Sequence, residues 1–149
     1  MSYSKDVAKK LNELLEKSYD AEKGFKFAAE NVKNAELKSF FKAKAQERYD
    51  FGHELKAEIA KFGEEPDKGS DIAGDVHRTW MNLKTKLSSD KEEAVLEEAE
   101  RGEKAAVEDY EDILKDSSIP ASTGNILMKQ KNAIVESLNK VKILEKQFD

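Results

Sequence analysis

Cysteine is absent from this 149-residue sequence, which excludes disulfides, thiolate catalysis, zinc fingers and iron–sulfur clusters. Proline and glycine are scarce, at two and seven residues, so few positions interrupt a helix and long helices with short joints are expected. No apolar run approaches the roughly 20 residues of a membrane span, and the first residues contain no apolar signal segment. The sequence therefore predicts a cytoplasmic all-α protein with no membrane partner.

Charged residues make up 38% of the chain, and the net charge is −5. Acidic and basic side chains are interspersed, as on solvated helix surfaces, and the negative total gives no electrostatic reason to expect nucleic acid as a partner. The length is that of one domain, so we expect a single domain over residues 1–149. The chain contains no glycine-rich phosphate loop and no arrangement of nucleophile and base, so we expect a non-enzyme without catalytic residues.

Apolar residues recur every three or four positions along four long stretches, which is the pattern of amphipathic helices. The predicted helices cover about residues 4–31, 35–61, 90–115 and 120–147. Ser4 is expected to cap the first of them. The first and last joints are short, and the middle joint contains a shorter amphipathic stretch at about residues 71–87, which we interpret as a crossover. A bundle with one long crossover is the ferritin-like arrangement.

The crossover stretch contains His77 and Trp80, one turn apart. We interpret both as structural anchors, because a single histidine beside a tryptophan is more often packed or hydrogen-bonded than bound to a metal. The tryptophan is the main apolar side chain of this stretch.

The middle of the predicted bundle combines small side chains with charges. Ser18 and Ala21 narrow the apolar stripe of the first helix, and Gly102 does the same in the third. We expect close helix packing around the small residues of the first helix. The alternative is space for a small molecule or lipid near Ser18, Ala21 and Gly102.

Four charged residues are predicted near the same height, and they have two interpretations. They are Glu22, Glu47, Arg48 and Glu103. In the first interpretation they form an internal polar cluster, because one guanidinium can bridge two carboxylates. In the second they lie at the bundle edge in water. The sequence does not decide between the two.

Six segments together carry a family resemblance. They are residues 20–25, 28–32, 36–38, 46–48, 73–81 and 98–103. The most specific are His77-Arg78-Thr79-Trp80 and Glu100-Arg101-Gly102-Glu103. These segments resemble a family of small bacterial ferritin-like four-helix-bundle proteins of unknown function. The resemblance extends over nearly the whole chain and implies the fold, but no reaction.

The wider ferritin-like superfamily implies a possible metal site. Its di-iron members use one Glu from each of two helices and a Glu-x-x-His pair from each of the other two. Here Glu22 and Glu103 correspond to the single glutamates, but the second helix offers Glu47 and Asp50, and the fourth helix has no histidine. We therefore expect a degenerate site without metal or cofactor. The alternative is iron bound by Glu22, Glu47, Asp50 and Glu103.

Three functions remain as hypotheses. The first is a non-enzymatic structural or interaction protein, with a stress-related role by analogy alone. The second is a di-iron protein for iron handling or oxidation, and the third is a small-molecule or lipid carrier. Exposed aromatic residues at Tyr3, Phe40 and Tyr49 would suit a homo-oligomer, while the sequence identifies no other protein partner.

Overall fold

Four long α-helices account for most of the structure. The computed structural model describes residues 2–67 and 91–148, and within these ranges there is no strand. The helices are α1 (Ser2–Asn31), α2 (Ala35–Lys61), α3 (Lys91–Leu114) and α4 (Ala121–Gln147). None of them combines the length and apolarity of a transmembrane helix. The prediction of an all-α, four-helix protein is confirmed.

The predicted crossover helix at about residues 71–87 lies outside the described residues, and so do its anchors His77 and Trp80. The ferritin-like crossover therefore remains a prediction.

The helix ends follow local hydrogen-bonding rules. α1 begins at Ser2, so Ser4 lies inside the helix and the prediction that it forms the N-cap is wrong. α2 follows Asn34, whose side-chain oxygen accepts a 3.0 Å hydrogen bond from the Leu37 amide. Past the end of α2, Gly63 adopts a φ of +75°, the left-handed conformation that glycine reaches without steric cost.

The start of α3 is tied to the turn between α1 and α2. The Glu92 carboxylate accepts hydrogen bonds from the backbone amides of Lys33 and Asn34, at 3.0 and 3.1 Å. A carboxylate thus satisfies two amides in a joint of only three residues.

The apolar core consists of two clusters, one towards each end of the bundle. The first cluster contains Phe25, Ala28, Ala29, Val32, Leu37, Phe41, Ala45, Val95, Leu96, Ala99, Val141 and Leu144. The second contains Val7, Ala8, Leu11, Leu14, Leu15, Phe51, Leu55, Ile59, Tyr110, Ile113, Leu127 and Ile134. The first cluster joins the end of α1 to the start of α2, and the start of α3 to the end of α4. Both hairpins are therefore antiparallel, and the first halves of α2 and α3 lie at the same end of the bundle.

Candidate functional site

An ion pair lies in the interior of the bundle, between α2 and α3. Arg48 Nη2 is 2.5 Å from Glu103 Oε1, and the two side chains are only 4% and 2% exposed. The guanidinium carbon also lies 5.4 Å from the centre of the Phe25 ring and 5.9 Å from that of Phe51, which is within the range of cation–π attraction. Two opposite charges are thus held together among aromatic rings.

A cavity of about 420 Å³ lies beside this pair, between α1 and α3. Its lining is Lys17, Asp20, Ala21, Gly24, Phe25, Arg48, Glu98, Ala99, Arg101, Gly102, Glu103, Ala105, Ala106 and Asp109. Small residues on both helices create the space, and a Cβ built at Gly102 would meet no atom within 4 Å. Ala21 packs against the first core cluster and also lines the cavity, and Gly102 lines the cavity from α3. Ser18 is buried but is not part of the lining.

Three polar atoms of the cavity lining lack a hydrogen-bond partner within the described part of the chain. They are Arg48 Nε, Glu103 Oε2 and Asp20 Oδ1. Burial raises the pKa of Asp20, and the charge of Glu16 adds to this effect, while Lys23 and Lys17 oppose it. Buried polar atoms without partners cost free energy, and these three have almost no accessible surface, so they lie within the wall of the cavity rather than at its surface.

Ion pairs border the cavity at its solvent side. Lys17 Nζ lies 2.8 Å from Asp109 Oδ2 and so links α1 to α3. Arg101 pairs with Glu98 on α3. These cations already have carboxylate partners.

A second buried polar group joins α4 to α2 and α3. The Tyr110 hydroxyl donates to Gln130 Oε1 at 2.6 Å, and Gln130 Nε2 donates to Glu54 Oε1 at 2.9 Å. Burial raises the pKa of Tyr110 well above its usual range, so its hydroxyl keeps its proton and remains a donor. Nearer the end of the bundle, Thr123 Oγ1 donates to Glu58 at 2.8 Å.

Only two members of the predicted polar cluster come together. Arg48 and Glu103 form the buried pair, whereas Glu22 pairs with Lys26 at 2.9 Å. Glu47 pairs with the lysine one turn before it, at 3.4 Å. The larger cluster is therefore not formed, because partners on their own helices hold Glu22 and Glu47.

The predicted iron ligands Glu22, Glu47, Asp50 and Glu103 are not gathered at one place either. Asp50 is exposed and accepts a hydrogen bond from Gln46. Across residues 2–67 and 91–148, no three His, Cys, Asp or Glu side chains are close enough to hold a metal ion. The guanidinium beside Glu103 also opposes a metal cation there. This arrangement does not fit a pair of iron ions.

Comparison with protein families adds one match. The model of a family described as a domain of unknown function, DUF2383, matches residues 6–116. The chain belongs to the DUF2383 family. A comparison with curated proteins found no match. In this DUF2383 protein, all residues that line the cavity fall inside the matched range, while Gln130 and the rest of α4 fall outside it.

Sequence reasoning missed a carboxyl pair between α3 and α4. Burial and a hydrogen bond with Glu100 raise the pKa of Glu145 to about 7, and the same hydrogen bond lowers the pKa of Glu100. Both residues lie in densely charged segments, and Glu100 entered the sequence analysis only as part of a segment that carries the family resemblance. Asp20 was missed for the same reason.

The aromatic residues proposed for an oligomer interface differ in exposure. Tyr49 is 48% exposed, whereas Phe40 packs against the first core cluster with its ring 5.4 Å from that of Phe41. The Tyr3 side chain lies outside the described part of the structure. Phe40 is therefore mainly a core residue.

Proposed function

We propose that this DUF2383 protein is a non-enzymatic binding protein that holds a small molecule in the cavity between α1 and α3. The observation that carries the proposal is the buried Arg48–Glu103 pair, which lines this cavity and retains one unpartnered polar atom on each side chain.

The size and lining of the cavity support this role. Ligand sites typically enclose about 300–1,000 Å³ and combine apolar walls with a few fixed polar groups. Here alanine, glycine and Phe25 supply half of the lining residues, and charged side chains supply the other half. The polar groups are supplied by Asp20, Arg48 and Glu103. Of the three functions considered from the sequence, the carrier is the one that a specific feature of the structure favours.

The ion pair supports a role without catalysis. A general acid, base or nucleophile needs a proton or lone pair that is free to react, whereas Arg48 and Glu103 are held in an ion pair with each other. The ion pair holds both side chains in place, and fixed polar groups of this kind orient ligands in binding sites.

The proposal includes ferritin-like ancestry. The first halves of α2 and α3 lie at the same end of the bundle, as a long crossover requires. Arg48 contributes a positive charge beside Glu103, where di-iron members of that superfamily would hold a metal ion. A bacterial origin is part of the same proposal and follows the family resemblance of the sequence, while a cytoplasmic location stays the expectation drawn from its lack of long apolar segments.

Closing the cavity tests the proposed function. We would titrate the ¹⁵N-labelled protein with a panel of neutral compounds of about ten heavy atoms. We expect the largest amide shifts at Ala21, Gly24, Ala99 and Gly102. Gly102→Trp should weaken binding at least about tenfold, because Gly102 lines the cavity and a large side chain there has room to occupy it.

Gly124→Trp is the matched control. Gly124 is also a helical glycine with no atom within 4 Å of a built Cβ, but it lies on α4, away from the cavity. Both variants gain similar helix propensity. Absence of cavity shifts with every compound, or equal loss of binding in the two variants, would contradict the proposal.

A further inference from the structure

An ion pair at the solvent side of the cavity joins its two walls. Lys17 Nζ on α1 lies 2.8 Å from Asp109 Oδ2 on α3, and both residues belong to the cavity lining. Their side chains are 57% and 29% exposed, so the pair borders on water. The Arg48–Glu103 pair also joins two helices, but it is buried. Among the described lining residues, Lys17 and Asp109 therefore form the one ion pair between helices that reaches solvent.

The pair lies at one end of the cavity. Lys17 is the first lining residue along α1, and Asp109 is the last along α3. The opposite end borders the first core cluster, to which Phe25 and Ala99 belong. Between the two ends, α1 and α3 face the cavity with small residues. They are Ala21, Gly24, Gly102, Ala105 and Ala106. The ion pair is therefore a direct link between α1 and α3 at the edge of the cavity.

The exposure of this pair makes it easy to break. Ion pairs between exposed side chains contribute little to stability and are weakened by salt. Surface side chains also change rotamer rapidly, so the Lys17–Asp109 contact can open without unfolding of either helix. The Arg48–Glu103 pair cannot serve in this way, because opening it would leave two charges out of water.

We propose that the Lys17–Asp109 ion pair is a strap that controls the passage of small molecules into the cavity. When the pair is formed, it holds α1 to α3 at the edge of the cavity and slows entry and exit. When the pair is broken, the two side chains turn into water and the gap beside the small residues widens. This inference rests on the proposed binding function, because it concerns access to the same cavity.

A cysteine placed in the cavity measures access without any ligand. The chain contains no cysteine, so the reporter variants Ala106→Cys on α3 and Ala21→Cys on α1 each have a single thiol. Both alanines are half-buried and line the cavity. The reagent is N-ethylmaleimide, which is small and neutral, and mass spectrometry of the full chain gives the labelling rate. Circular dichroism checks that each reporter folds, and the second reporter serves if the first does not.

Breaking the pair from either side should accelerate labelling of the reporters at least about threefold, a change within the range of one exposed ion pair. Lys17→Met and Asp109→Asn each remove one partner. They change the charge near the thiol in opposite directions, so an effect on thiol ionisation would accelerate one variant and slow the other. Loss of the strap accelerates both. The exchange variant Lys17→Asp/Asp109→Lys rebuilds the pair in reverse, so its labelling rate should return to within about twofold of that of the reporter alone.

Lys10→Met is the matched control. Lys10 is also a partly exposed lysine of α1, and it pairs with Asp116 beyond the end of α3, but it does not line the cavity. Its loss removes the same charge and a comparable ion pair, so labelling should not change. Equal acceleration by Lys10→Met and Lys17→Met would mean that labelling follows general destabilisation, and it would overturn the inference. Unchanged labelling in Lys17→Met and Asp109→Asn, or changes of opposite sign, would overturn it as well.

These outcomes are separate from the test of the proposed function, because labelling needs no ligand. If compounds bind in a manner that depends on Gly102 while Lys17→Met and Asp109→Asn label like the reporter alone, the binding function stands and the strap is wrong. If both variants label faster while no compound binds, the ion pair controls access and only the binding function is wrong.

Discussion

Arg48→Ala should strongly destabilise the folded protein. The substitution leaves the Glu103 carboxylate 2% exposed and without its cationic partner. Removing one member of a buried ion pair typically costs about 3–5 kcal/mol, because the remaining charge stays out of water. Two ring contacts of the guanidinium, with Phe25 and Phe51, are lost as well, each worth about 0.5–1 kcal/mol.

The adjacent cavity reduces this cost, since water that enters it can solvate the remaining carboxylate. We therefore expect a loss of about 3 kcal/mol, near the lower end of the range for buried pairs. With a urea m-value of about 2 kcal/mol/M, the unfolding midpoint should fall by about 1.5 M.

Urea unfolding followed by circular dichroism measures this change in the free energy of unfolding. Two further variants show whether the change comes from burial of the ion pair. Arg101→Ala removes an arginine that is 66% exposed and paired with Glu98, and it should cost under about 0.5 kcal/mol. The double variant Arg48→Met/Glu103→Leu should be close to wild type, because neither charge remains buried. If Arg48→Ala costs as little as Arg101→Ala, the pair is solvated and the reasoning from burial is wrong.

Two further substitutions have expected outcomes. Because the pKa of Glu145 is raised from 4.5 to about 7, its contribution to stability is fully present below pH 4.5 and is lost as the pH rises through 7. Glu145→Gln should therefore flatten the pH dependence of the free energy of unfolding. It should be more stable than wild type at pH 8 by about 1 kcal/mol, because solvent screens a partly exposed group. A pH profile parallel to that of wild type would contradict the raised pKa of Glu145. Tyr110→Phe should lower the free energy of unfolding by about 1–2 kcal/mol, because Gln130 Oε1 is left without a donor in the core. An unchanged urea midpoint would contradict this and would mean that another donor replaces the hydroxyl.

The helices were predictable from the sequence because apolar residues recur every three or four positions along each of them, with few interruptions. Arg48 and Glu103 were predictable as inward candidates because each is a charge close to an apolar stripe. Glu22 and Glu47 also lie close to an apolar stripe, but they do not join the buried ion pair. Each can reach a lysine one turn away on its own helix, and such local pairs hold a side chain at the surface.

The cavity was the harder feature to predict. Small residues at Ala21, Gly24 and Gly102 are compatible with close helix contact or with empty space, and the spacing of α1 and α3 decides between them. That spacing depends on larger side chains elsewhere in the core, which a periodic pattern does not locate. The role of Asp20 follows from the cavity and could not be predicted without it.

The two short joints have a consequence for the order of folding. Three residues separate α1 from α2, and six separate α3 from α4, so each hairpin closes a small loop at little entropic cost. Contacts between the hairpins join residues far apart in sequence, and the link between Glu92 and the α1–α2 turn is one of them. Each hairpin should therefore form early, and their docking, which removes Arg48 and Glu103 from water, should set the folding rate.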